Sequence, residues 1–316
     1  MPPWKTWTAL GLVYVVWGST YLAIAYVVES FPPLLAGFLR FAVASILLLA
    51  FLLVRRGRSL RATRRQWMGA AGIGLLLLLC GNGGVTVAEE RGLPSGLTAL
   101  LVAGVPLYVA VFRLLGRDRP AGRTVTGVLI GFVGLGILLL PGTRPSGVSF
   151  GPAGLVLAGS FCWSFGSVLS TRLDLPSDPL VTTLGEMLGG SLGFLIAGLV
   201  AGERLPTSHV TSASLVGLAY LVVFGSIVAF TAYSWLLGTA PVSTVATYAY
   251  VNPVVAVVLG ALFRGEDLTV TSVVGGLVTV VAVVVVVSQE GGGQRLDGAE
   301  PSAAPTALPT TTVGKR

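Results

Sequence analysis

The sequence predicts an all-α membrane protein of ten transmembrane helices, built as two inverted five-helix repeats. Three observations carry this expectation. The composition is apolar and poor in charge, the chain divides into ten apolar runs of spanning length, and its second half matches its first at a nearly constant offset.

Hydrophobic residues make up 53% of the 316, mean hydropathy is +0.86, and 10% of residues are charged. A soluble domain carries about 25% charged residues, so a water-soluble fold is not expected and the lipid bilayer is the first partner. Most of the 43 glycines lie inside apolar runs, where small residues let helices approach closely in lipid. The charge of +7 and pI of 9.8 do not point to nucleic acid, because the arginines fall in short loops between runs. Cys80 and Cys162 both lie within apolar runs, where small buried thiols are expected and a disulfide framework is not.

A membrane helix needs roughly 20 mostly apolar residues. The first run, 7–28, follows Lys5, and Ala23-Ile24-Ala25 resembles a leader-cleavage site; its length and the runs that follow identify a retained helix. The next four are 32–54, 66–88, 93–115 and 124–140, separated by Gly, Pro and charged residues. The remaining five are 151–171, 179–201, 212–237, 241–263 and 269–288. The last is rich in valine but shows none of the alternation a barrel strand would need, so it too is read as a helix. Residues 289–316, rich in Gly, Pro, Ala and Thr, cannot bury enough apolar surface to fold and are expected to form a disordered cytoplasmic tail.

Basic residues orient the chain. With the N-terminus inside, the inner loops hold Lys5, Arg55, Arg56, Arg58, Arg61, Arg64, Arg65, Arg113, Arg117, Arg119, Arg123 and Arg172. The outer loops hold Arg91, Arg144, Arg204 and Arg264. Lys and Arg concentrate in cytoplasmic loops, so both termini are expected in the cytoplasm.

Matching features recur about 147 residues apart: Trp17 with Trp163, Pro32 with Pro179, Pro94 with Pro241, Pro106 with Pro253, Gly127 with Gly275. The halves are therefore taken as 1–147 and 148–288. Each holds five spans, an odd number, so the second copy enters the membrane from the opposite side. Inverted repeats recur in secondary transporters because exchanging two half-conformations opens one site to either side in turn.

WGSTYLAIA from Trp17, FPPLLAGFLRF ending at Phe41, and the long run from Tyr220 through Asn252-Pro253 to Gly265-Glu266 resemble EamA-type members of the drug/metabolite transporter superfamily. GNGGVTVAEERGLPSGLTALLVAGVPL from Gly81 is similar to the metabolite-exporter branch. The resemblance spans about residues 7–288. Where the second half has the Gly265-Glu266 turn of the family, the first half reads Gly116-Arg117-Asp118-Arg119-Pro120. The resemblance implies ten helices around a central cavity and efflux of small organic solutes, such as amino acids or toxic compounds, across a bacterial cytoplasmic membrane.

Charges inside a span are costly and mark functional candidates. Arg40 lies about 12 Å inside the second span and Glu186 about 10 Å inside the seventh, from opposite sides. In a core about 30 Å thick their side chains could meet. One reading has Arg40 hold an anionic group of the substrate and Glu186 an amine or a proton; the other is a static buried ion pair. Trp17, Trp163, Tyr248 and Tyr250 are candidates to stack on a planar or cationic solute, or to pack the core. Asn82 and Asn252 offer amides to a cavity or bridge helices. Ser19, with Thr20, either lines the same region or bonds back to its own helix. Pro106 and Pro253 remove backbone donors mid-span and are hinge candidates, or fixed kinks.

No GxxxxGK[ST] loop occurs, and neither HExxH nor paired cysteines accompany the single His209. No cofactor or metal is expected and the chain is not read as an enzyme, leaving a solute or ion gradient as the energy source, with the proton a candidate coupling ion. A lipid-acting membrane enzyme would need clustered His, Asp or Arg at one interface, whereas a non-transporting scaffold or sensor would need no charge within the membrane. The leading expectation is a secondary carrier and exporter of small molecules.

Overall fold

A computed structural model describes residues 3–54, 60–115, 122–139, 150–206, 209–266 and parts of 270–285. All regular structure among the described residues is helical. The first five helices are α1 (Pro3–Val27), α2 (Pro33–Val54), α3 (Arg64–Glu90), α4 (Ser95–Leu115) and α5 (Gly122–Leu139). The second half contributes α6 (Phe150–Ser170), α7 (Pro179–Val200), α8 (Ser212–Leu237), α9 (Tyr248–Arg264) and the short α10 (Val273–Ala282). Seven of these, α1 to α4 and α6 to α8, are long and apolar enough to cross a membrane. The tail from 289 and the Gly116–Pro120 loop lie outside the described residues.

Helix starts follow local chemistry. The Thr63 hydroxyl accepts from the Gln66 amide at 3.2 Å while the Gln66 side chain accepts from the Thr63 amide at 3.0 Å, a capping box that opens α3 before the expected residue 66. Asp178 and Thr211 cap α7 and α8 in the same manner, each accepting from an amide of the first turn. Gly92, Gly202 and Gly265 stop α3, α7 and α9 with positive φ, a conformation that costs glycine nothing sterically.

Three departures from regular α-helix occur, of which only an interruption near Pro106 was expected. In α3 and α8 the segments Leu75–Asn82 and Leu221–Val228 are π-helical, in the third helix of each half. Helix α4 breaks at Ala103-Gly104, just before Pro106, and a short turn Val242–Val245 precedes α9 in place of a continuous span from 241. Each departure frees backbone groups that a straight helix would consume.

Helices at equivalent places in the two halves pack against each other, α2 on α7 and α4 on α9. The Phe41 and Phe194 rings stack at 5.8 Å across the first pair. Glycine sets the spacing elsewhere: a Cβ on Gly74 of α3 would strike the Glu186 backbone of α7, and one on Gly159 of α6 would sit 2.8 Å from the Gly81 carbonyl. The outer helix surfaces remain apolar and exposed, as at Ile46, Leu192 and Val216, where lipid rather than water is the natural solvent.

Bonds between helix ends define a face opposite the N-terminus. There Glu203 accepts from the amides of Leu34 and Leu35 at 3.2 and 2.8 Å, holding the start of α2. Glu266 accepts from the Ser95 amide and hydroxyl at 3.0 and 2.7 Å and from the Gly96 amide at 3.0 Å, holding the start of α4. Arg264 pairs with Glu29 on the same face. Both carboxylates thus meet the positive end of a helix and tie a second-half helix to a first-half one.

A candidate solute cavity

The two π-helical segments bring Gly81 and Asn82, and Gly225 and Ser226, toward the middle of the molecule, where absent or short side chains leave room. A cavity of about 60 Å³ opens there. Its wall draws on α1 to α4 from the first half and on α6, α8 and α9 from the second.

Six of the nine residues singled out as solute ligands line it: Trp17, Arg40, Asn82, Trp163, Tyr248 and Asn252. Thr20 joins them, its hydroxyl spent on the Trp17 carbonyl at 2.7 Å. Arg40 is 5% exposed; its Nε donates to Ser226 Oγ at 2.8 Å, one terminal nitrogen donates to Asn82 Oδ1 at 3.3 Å, and the guanidinium lies 4.7 Å from the Phe41 ring. The Asn252 amide nitrogen donates to the carbonyls of Tyr14 and Tyr248 at 3.1 Å each, joining α1 to α9.

The remaining three stand apart. Ser19 bonds back to the Val16 carbonyl at 2.7 Å and to the Tyr220 hydroxyl at 2.5 Å, behind the wall. Glu186, 1% exposed, accepts from the Ser234 hydroxyl at 2.8 Å, so it does not pair with Arg40. Both side chains reach α8, but at Ser226 and Ser234, eight residues and about 12 Å apart along that helix. The Tyr250 side chain lies outside the described residues.

Toward the N-terminal face an aromatic cluster stops the cavity. Trp17 meets Tyr233 at 4.8 Å, Tyr248 at 5.2 Å and Trp163 at 5.4 Å between ring centroids. Trp163 Nε1 donates to the Tyr233 hydroxyl at 3.0 Å, the Ser167 hydroxyl lies 2.6 Å from the same oxygen, and Trp17 Nε1 donates to the Gly225 carbonyl at 3.1 Å. Along α1 the lining runs from Trp17, Tyr21 and Ile24 to Val28 and Glu29, which border a second hollow on the opposite face. Along α3 it runs likewise from Asn82 and Val85 to Val87 and Glu90.

Pro106 and Pro253 are both buried, and Pro106 cannot donate to the carbonyl of Val102, itself a wall residue. Several residues escaped the sequence reading: Ser160, Phe230, Tyr233 and the clasp Glu203. The Gly202-Glu203 dipeptide repeats the Gly265-Glu266 signature and could have been found; the others carry no pattern of their own. Glu89 was counted as lying beyond the third span, yet α3 continues past it and buries it to 7% exposure, with no hydrogen-bond partner for either carboxyl oxygen. Among the described residues no cluster of three His, Cys, Asp or Glu side chains forms a metal-binding group.

A multi-pass helical membrane protein with a cavity walled by both of its halves belongs, by architecture, among membrane transporters. The EamA-like transporter family matches the chain twice, over residues 5–140 and 152–288, and the chain belongs to that family, within the drug/metabolite transporter superfamily. It is 44% identical to the inner membrane transporter YedA of Escherichia coli K12 over 83% of each chain. It is 28% identical to protein PecM of Dickeya dadantii, over 82% of this chain and 84% of that one. A WAT1-related chloroplastic protein of Arabidopsis thaliana is 26% identical, over 90% of this chain and 70% of its own length. A crystal structure of a protein 18% identical shares the fold with a TM-score of 0.64, covering 92% of this chain and 98% of the other.

Proposed function

We propose that this chain is a secondary carrier that exports small organic solutes by alternating access, with ten helices in two inverted repeats and both termini in the cytoplasm of a bacterial cell. The observation that carries the reading is the cavity shared by both halves, at whose edge the repeat-equivalent Trp17 and Trp163 are in ring contact. Residues related by a two-fold axis meet only near that axis. The pairing of α2 with α7 and of α4 with α9, and the matched π-helical segments, agree with the same symmetry.

The aromatic cluster then acts as the closed gate on the cytoplasmic side, and the route past Ile24 and Val85 as the opposite passage. Exchanging the two half-conformations would part the rings and close that passage, with α4 and α9 bending near Pro106 and Pro253. Trp17, Arg40, Asn82, Trp163, Tyr248 and Asn252 form the solute wall; Ser19 and Glu186 hold helices behind it. Export, as opposed to uptake, rests on the likeness to the exporter branch.

The test is an efflux and growth screen of amino acids, organic acids and cationic toxins, comparing cells carrying the intact protein, an empty vector and Arg40→Gln at matched membrane levels. The expected result is lower retention of at least one solute with the intact protein only. Equal handling of every solute by all three strains overturns the carrier reading.

A further inference from the structure

The polar groups on the cavity wall are unequally committed, and those left over define a ligand. Thr20 is spent on its own helix, and the Asn252 amide nitrogen is spent on two carbonyls. Arg40 uses two of its five N–H donors, both on neutral oxygens. Its other terminal nitrogen packs against Gly225, where a Cβ would lie 3.0 Å from it. The Ser160 hydroxyl, on the same wall, is buried and has no partner.

Among the described residues no acidic side chain lines the cavity, since Glu186 faces Ser234 and Glu89 lies outside the wall. A buried guanidinium held only by neutral acceptors keeps its net charge uncompensated, and a planar fork of this kind matches a carboxylate through two parallel bonds. The rest of the wall is aromatic and aliphatic, led by Trp17, Phe41, Trp163 and Phe230. Aromatic faces alone would also accept an organic cation, but here Arg40 would repel it.

We infer that the cavity selects organic monocarboxylates with a flat apolar body over the corresponding amines, alcohols and amino acids, the carboxylate docking on Arg40 and Ser160. This rests on the carrier reading only in taking the cavity as the solute site.

Four ligands of nearly one shape test it on the full-length protein in nanodiscs at pH 7.5 by titration calorimetry: 3-phenylpropanoate, 3-phenylpropanol, 3-phenylpropylamine and phenylalanine. The carboxylate is expected to bind at least tenfold more tightly than the alcohol, and the amine more weakly than the alcohol. Phenylalanine is expected to fall below the carboxylate, because its ammonium finds no acid. In Arg40→Gln the carboxylate should bind no more tightly than the alcohol. The wild-type series stands even where that variant fails to fold. An amine or amino acid that binds as tightly as the carboxylate overturns the inference, as does undiminished carboxylate binding to folded Arg40→Gln or the absence of binding by all four. Flux in proteoliposomes separates the two proposals: transport with a preference for amines removes the anion assignment alone, and selective carboxylate binding without flux removes the carrier reading alone.

Discussion

Arg40 owes its position to two short side chains on other helices, Ser226 and Asn82, which take up separate corners of one planar group. A lysine presents a single point charge and cannot span both. Arg40→Lys is therefore expected to keep the charge but lose at least tenfold in carboxylate affinity, measured by the same calorimetry. Tyr233 is the hub of the aromatic gate, since its hydroxyl meets both Trp163 and Ser167. Removing it in Tyr233→Phe strands a buried N–H and should cost about 1–3 kcal/mol in thermal or denaturant unfolding. Glu89 presents the converse case, a buried carboxyl with nothing bonded to it. An apolar residue of similar size removes an unsatisfied group, so Glu89→Met is expected to leave stability unchanged or raise it by about 1–2 kcal/mol in the same assay.

At the scale of the helix, the contacts that matter are between backbones. The Gly159 Cα faces the Gly81 and Cys80 carbonyls of the π-helical segment, and a side chain there must push α6 away from α3. Gly159→Val is expected to destabilise the protein by roughly 1–3 kcal/mol through overpacking and to weaken ligand binding, because this contact frames the cavity wall. The Glu266 clasp is a second such joint. Its carboxylate meets three donors at the start of α4, and Glu266→Gln, which loses the charge facing a helix N-terminus, should cost about 1 kcal/mol in unfolding. The helices themselves were largely legible from apolar run length, Pro punctuation and caps, which act within a few residues. The break in α4 was signalled by Pro106, but the π-helical segments were not legible, because apolar sequence is equally compatible with a regular helix and only neighbouring helices decide where the ladder slips.

For the whole molecule, orientation and access are the open physical questions, and they can be measured together. In a background with Cys80 and Cys162 replaced, single cysteines at Leu60 and Arg172 should react with membrane-impermeant reagent only from the cytoplasm, and those at Arg91 and Arg204 only from outside. A cysteine at Val85 should react from outside faster than one at Tyr233 reacts from the cytoplasm, because the aromatic cluster lies toward the N-terminal face, which the proposed orientation puts in the cytoplasm. The repeat was visible in single-residue coincidences such as Trp17 with Trp163, and the structure brings those two rings together. The cavity wall was legible where chemistry is conspicuous, as with a buried arginine or an amide beside glycine. Ser160, Phe230 and Tyr233 look like any other membrane-helix residues until their neighbours are known.

What the sequence determined by itself is the solvent the chain folds in, the helical character of its spans and its division into two similar halves. These follow from hydrophobicity and period, which are sums over many residues and tolerate local error. What only the tertiary structure decided is which side chains share a space. Arg40 and Glu186 could meet on sequence grounds, yet they bond to Ser226 and Ser234, about 12 Å apart along α8, and only Arg40 lines the cavity. Position along the chain gives a side chain only an approximate depth; which neighbours it finds is set by packing against helices distant in sequence.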